Sequence, residues 1–99
     1  MFEIVLISQL LAQNNNSFVF SQQQKYQIEK LTDSEKSNSQ KYPYNTRKQE
    51  IDNILGTPGK LIDSTNGISR WKYIDRTGKE VECIYGSNER LLQWATSGF

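Results

Sequence analysis

The sequence predicts an α+β domain in which one or two short helices pack on a three-stranded antiparallel β-meander. Three observations lead there. Residues 47–55 carry apolar side chains at helical spacing and are closed by Gly56 and Pro58. From Ser69 onward the apolar period changes to two, as half-buried strands require. Gly78 then sits between two such runs, where a type I turn with a bulge needs a positive φ.

Each element has its own signals. In residues 21–35, "SQQQKYQIEKLTDSE", Ser21 is placed to cap a first helix, and Tyr26, Ile28 and Leu31 supply a thin apolar stripe. "SNSQKYPYN" reads as a loop, because Pro43 lacks an amide donor and keeps Tyr42 extended. Thr46 and Gln49 fit a capping box for the second helix, whose apolar face is Ile51, Ile54 and Leu55. Gly56 occupies the left-handed position after it, and Pro58 prevents continuation. A helix this short takes its stability from packing.

Residues 59–68 read as a loop. Its segment "IDSTNGIS" is rich in oxygen donors but lacks the alternation and closing Glu of an EF-hand loop, so it reads as an ordinary turn. In "SRWKYID", Trp71 and Tyr73 share one face of a strand and Arg70 and Lys72 the other; in "EVECIYG", Val81, Cys83 and Tyr85 oppose Glu80, Glu82 and Ile84. "LLQWATS" supplies the third strand, with Leu92 and Trp94 on one face. Pairing across Gly78 sets Arg70 and Lys72 on the same face as Glu80 and Glu82, where opposite charges attract. The aromatic face needs a cover, and the 47–55 helix is nearest.

Composition narrows the function. A chain of 99 residues makes one domain, here residues 21–99, preceded by an apolar and amide-rich arm at residues 1–20. Twelve Lys and Arg against 11 Asp and Glu leave a net charge of +1, too little field for non-specific nucleic-acid binding. The absence of histidine removes the commonest neutral-pH base and zinc ligand. Cys83, the sole cysteine, reads as a buried apolar thiol. The apolar residues 4–12 are too short to span a bilayer, only Glu3 is charged ahead of them, and "LAQ" is a poor cleavage site. Membrane association would run only through this segment, and the residues lean towards the cytoplasm over the periplasm or envelope.

The helix end "ILGTP", with Leu55, Gly56 and Pro58, followed after about a dozen residues by "RWKYID", with Trp71 and Tyr73, resembles the BamE (SmpA/OmlA) family over residues 44–96. That resemblance implies a fold akin to beta-lactamase-inhibitor-protein-like modules and a non-catalytic role in protein interaction or envelope assembly. BamE-type lipoproteins carry a lipidated cysteine at the end of their leader, whereas no cysteine precedes Cys83 here.

Other chemistries fare worse. "RWKYIDR" interleaves cations with aromatics as single-strand nucleic-acid platforms do, but alternation puts the two on opposite faces. Glu80 with Glu82, or Asp75 with Glu89, lacks the pocket that an acid and base pair needs. No catalytic, cofactor or metal site is predicted, and the chain is not expected to be an enzyme. The expectation is a protein partner met on the polar outer sheet face and the 59–68 loop, with Arg70, Lys72 and Trp94 as candidate contacts. The alternative is a small intracellular regulatory protein associated with nucleic acid through Arg70, Lys72, Arg76 and Lys79.

Overall fold

A computed structural model describes residues 19–99. Helix α1 (Gln22–Ser34) and helix α2 (Lys48–Leu55) precede four strands: β1 (Lys60–Thr65), β2 (Ile68–Ile74), β3 (Glu80–Tyr85) and β4 (Leu91–Ser97). The strands form one antiparallel sheet in sequential order. The α+β architecture is as expected, with one strand more. Expectations on the leader and the first part of the arm lie outside the described residues.

The added strand is β1, drawn from the stretch expected to be a loop. Asn66 and Gly67 both take positive φ, 55° and 80°, and join Thr65 to Ile68 as a two-residue turn. Asn-Gly is the pair that such a primed turn favours, since it matches the strand twist. β1 is an edge strand exposed along its whole length, and a bulge falls between Leu61 and Asp63. Its side chains therefore carry no in-and-out alternation for a periodicity to reveal.

The helix starts show one expectation met and one displaced. Ser21 Oγ accepts from Gln24 N–H at 3.2 Å and Gln24 Oε1 accepts from Ser21 N–H at 2.8 Å, a reciprocal capping box. For α2 the cap lies one residue later than Thr46 and Gln49 and is only half a box: Arg47 precedes the helix and its N–H donates to Glu50 Oε1 at 3.0 Å, while Glu50 N–H donates to the Arg47 carbonyl at 3.0 Å because the Arg47 side chain has no acceptor. Thr46 is instead fully buried beside β4, its carbonyl accepting from Leu91 N–H at 2.8 Å. Gly56 closes α2 in the left-handed conformation at φ 75°.

The core lies between the helices and one face of the sheet. Ile28 of α1 and Ile51 and Leu55 of α2 meet Tyr73, Val81, Cys83, Tyr85 and Leu91. Of the expected α1 stripe only Ile28 is buried; Thr32, one turn on, completes the buried face, and Tyr26 is exposed. Phe20, assigned to the arm by sequence, belongs to this core and stacks on Phe99. On β4 a bulge after Leu91 places that residue opposite Tyr85, so Leu91 rather than Leu92 enters the core. Trp94 remains opposite Cys83, packed against the core.

Gly59, between α2 and β1, illustrates how tightly the covered face is closed. At φ +73°, a Cβ there would lie 2.9 Å from Tyr73 Cδ2 and Cε2 and 3.2 Å from the Lys72 carbonyl oxygen. Gly67 has a similar φ, +80°, with nothing among the described residues within 4 Å of its Cβ position. Gly67→Ala meets backbone strain alone, of about 1–2 kcal/mol. Gly59→Ala adds overpacking and is expected to cost about 1–3 kcal/mol beyond that. Urea unfolding of the two variants compares them, and equal losses would remove the clash with Tyr73 from the account.

Candidate functional site

The helices cover one face of the sheet, leaving the face of Arg70 and Lys72 open among the described residues. Cross-strand partners there are Arg70 with Ile84, Lys72 with Glu82 and Ile74 with Glu80. The charges pair diagonally: Arg70 reaches Glu82 at 3.5 Å and Lys72 reaches Glu80 at 3.5 Å. Arg70 also donates to Asp63 Oδ2 on β1 at 2.8 Å, which raises its pKa above the usual guanidinium value. Ile68 and Ile74, at 47% and 49% exposure, flank this charged centre. The arrangement is a mixed surface of paired ions with isolated apolar side chains at both ends.

Of the candidate contacts, the structure brings Arg70 and Lys72 together on this open face. Trp94 faces the other way at the level of its side-chain register, opposite Cys83, although it borders a shallow groove with Arg70, Glu82 and Gln93. Asp63 joins the pair from β1, a contact that became predictable only once residues 60–65 were known to form a strand.

Beneath the open face, a buried polar chain fixes the sheet against α2. Lys48 is 6% exposed; its ammonium donates to Asp52 Oδ2 at 2.8 Å and to the Pro58 carbonyl at 2.9 Å, and lies 4.0 Å from the Trp71 ring centroid. Tyr73 OH donates to Asp52 Oδ1 at 2.7 Å, leaving its oxygen to accept from Tyr85 OH at 2.8 Å. Burial pushes both phenols far above their usual range and the Cys83 thiol up to about 12. All three groups are therefore neutral near pH 7, and the phenols serve as hydrogen-bond donors. The Lys48 and Asp52 spacing of four was visible in the sequence, but nothing there marked the lysine as buried.

A second concave feature lies at the end of the sheet. The β1–β2 turn, the start of β2, the β3–β4 turn and the loop at Lys41 and Tyr42 enclose a cavity of about 370 Å3. The loop is ordered by its own polar groups: Ser39 Oγ accepts from the N–H groups of Lys41 and Tyr42, both at 3.2 Å, and Ser37 N–H donates to the Pro43 carbonyl at 2.9 Å. Arg90 lies over the Tyr42 ring at 4.5 Å and holds Asn45 Oδ1 at 2.7 Å. Asn88 and Glu89, in the adjoining β3–β4 turn, both take positive φ, 58° and 56°. Two consecutive non-glycine residues in that region store strain of the kind that concentrates at functional sites. Sequence reasoning missed this cavity because it joins a loop to turns far apart in the chain.

Among the described residues, no group of three or more Cys, Asp and Glu side chains is placed to hold a metal ion, and no helix is long and apolar enough to cross a membrane. No protein-family model, no curated protein and no solved structure matches the chain.

Proposed function

We propose that this protein is a non-catalytic interaction or scaffolding module resembling BamE-type envelope assembly proteins, and that it uses one sheet face for packing and the other for a partner. The observation that carries the reading is the division of labour across the sheet. Helix α2 engages Trp71 and Tyr73 through Lys48 and Asp52, while Arg70 and Lys72 stand on the opposite face with exposed Ile68 and Ile74. Apolar side chains around pairable charges suit a protein surface, which supplies both kinds of partner. A nucleic-acid role is the weaker reading, since the ion pairs with Asp63, Glu80 and Glu82 already offset the cations that phosphates would neutralise.

A photo-crosslinking side chain at Ile68 or Ile74 in the source cell tests this, with Tyr26 on α1 as the comparison site. A discrete crosslinked product from the two sheet positions, weakened by Arg70→Glu and absent from Tyr26, is the expected result. An indistinguishable pattern from all three positions sinks the proposal. The N-terminal mass of the same material adds the compartment: loss of residues 1–12 or more places it in the envelope.

A further inference from the structure

The cavity at the sheet end has the chemistry of a ligand site that the open sheet face does not. Its lining has apolar side chains from Tyr42, Ile68 and Leu92, and Ile68 is 47% exposed. Polar side chains come from Asn66 and Ser87 of the two turns. Among the described residues Lys41 is the single charged residue lining it, and Arg90 reinforces the same sign from behind the Tyr42 ring. Glu89 belongs to the adjoining turn but does not line the cavity. The lining therefore asks two things of one ligand: apolar surface to replace water, and negative charge to meet an ammonium.

The volume sets the scale. About 370 Å3 lies at the small end of the range for ligand pockets and accommodates roughly one or two amino-acid residues. We propose that the cavity binds a ligand joining an apolar side chain to a carboxylate, with the side chain on Ile68 and Leu92 and the carboxylate at Lys41. The C-terminal residue of a partner chain and a free acylated amino acid both present that chemistry. In the first case the proposal deepens the interaction reading above and rests on it; in the second it stands apart.

The groups beside Lys41 suit an anion. The Tyr42 phenol is held below its usual range, chiefly by hydrogen-bonding contact with the Ser87 side chain, against the opposing effect of desolvation and with the help of Lys41 and Arg90. Arg90 is itself anchored by the Tyr44 carbonyl at 3.3 Å and by Asn45, so its charge stays fixed behind the ring. Preorganisation of that kind lowers the ordering cost of binding.

The test titrates the full chain with acetyl-glycyl-leucine bearing a free carboxylate, and with the same dipeptide as its amide, following the amide resonances of Gly67, Gly86 and Ser87. The carboxylate is expected to move all three and to saturate, with the amide about tenfold weaker, the size of one charge-assisted hydrogen bond. Lys41→Glu, at an exposed position that leaves the fold intact, is expected to weaken the carboxylate about tenfold and the amide little. Leu92→Ser is expected to weaken both. Equal binding of acid and amide, or no saturable shift, overturns the proposal. A hexapeptide ending in leucine that binds more tightly than acetyl-leucine assigns the site to a chain end; equal affinities assign it to the free acid, and either upholds the cavity. Crosslinking from Ile74 that persists while the titration fails removes the cavity and leaves the interaction module standing, and the reverse outcome removes the module alone.

Discussion

Asp52→Ala is expected to destabilise the fold by about 3 kcal/mol, at the lower end of the cost of breaking a buried ion pair from one side. The reason lies in what is left behind. The Lys48 ammonium, with a side chain only 7% exposed, loses its counter-charge at 2.8 Å and keeps only the Pro58 carbonyl and the Trp71 ring. The Tyr73 hydroxyl loses its acceptor in the same step, and one phenol of the Tyr73 and Tyr85 pair is left with nowhere to donate. Lys48→Met removes the opposite partner and leaves Asp52, at 22% side-chain exposure, within reach of water and still accepting from Tyr73. It should therefore cost clearly less than Asp52→Ala. Thermal unfolding reads the difference, since a loss of about 3 kcal/mol corresponds to roughly 12–24 °C in a domain of this size. A drop of only a few degrees for Asp52→Ala, or the opposite order of the two variants, removes the buried pair as an anchor of α2.

That anchor shows where sequence reasoning reaches and where it stops. The faces of β2 and β3 were legible because alternation survives whenever one side is buried and the other wet: Val81, Cys83 and Tyr85 went inward and Glu80 and Glu82 outward. The helix ends were legible from Ser21 and Gly56, whose roles depend on neighbours only a few residues away. β1 was missed because an exposed edge strand buries nothing: the segment holding Asn66 and Gly67 reads as an ordinary turn, which it is, but without the strand ahead of it that the turn joins to β2. Thr46 passed as a cap because its type fits, yet its carbonyl is engaged by Leu91, 45 positions along the chain. The face of β4 departs from the expected one at Leu92 alone, with Trp94 in place, for a similar reason, since a bulge is a property of the pairing and not of Leu91 or Leu92. Of the candidate contacts, Arg70 and Lys72 followed from alternation alone. The sheet-end cavity did not, because Tyr42, Ile68 and Leu92 become neighbours only through tertiary folding.

Asp75 ties the start of the described chain to the β2–β3 hairpin, and its removal is the second large effect expected. It is 5% exposed, and its carboxylate accepts from four donors: Phe20 N–H at 2.7 Å on Oδ2, and Thr77 N–H and Oγ1 at 2.8 Å each and Lys79 N–H at 2.9 Å on Oδ1. Burial works against ionisation here, but the hydrogen bonds from Phe20, Thr77 and Lys79 outweigh it and hold the pKa down to about 2. A carboxyl depressed in the folded state stabilises above its unfolded value, about 3.9, and that contribution is lost as pH falls towards about 2. Asp75→Asn has no such titration. Whichever way its amide turns, an NH2 group faces a backbone donor, so the variant should also lose about 1–3 kcal/mol near pH 7. The parent and variant stability curves are thus expected to stand apart at neutral pH and to converge between about pH 4 and pH 2. Hydrogen exchange at the Phe20 amide separates this from a general weakening: its protection should fall in Asp75→Asn well before that of Cys83 in the middle of β3. Curves that stay parallel across the acid range, or Phe20 protection unchanged at pH 7, contradict the assignment of Asp75 as the clamp between Phe20 and the hairpin.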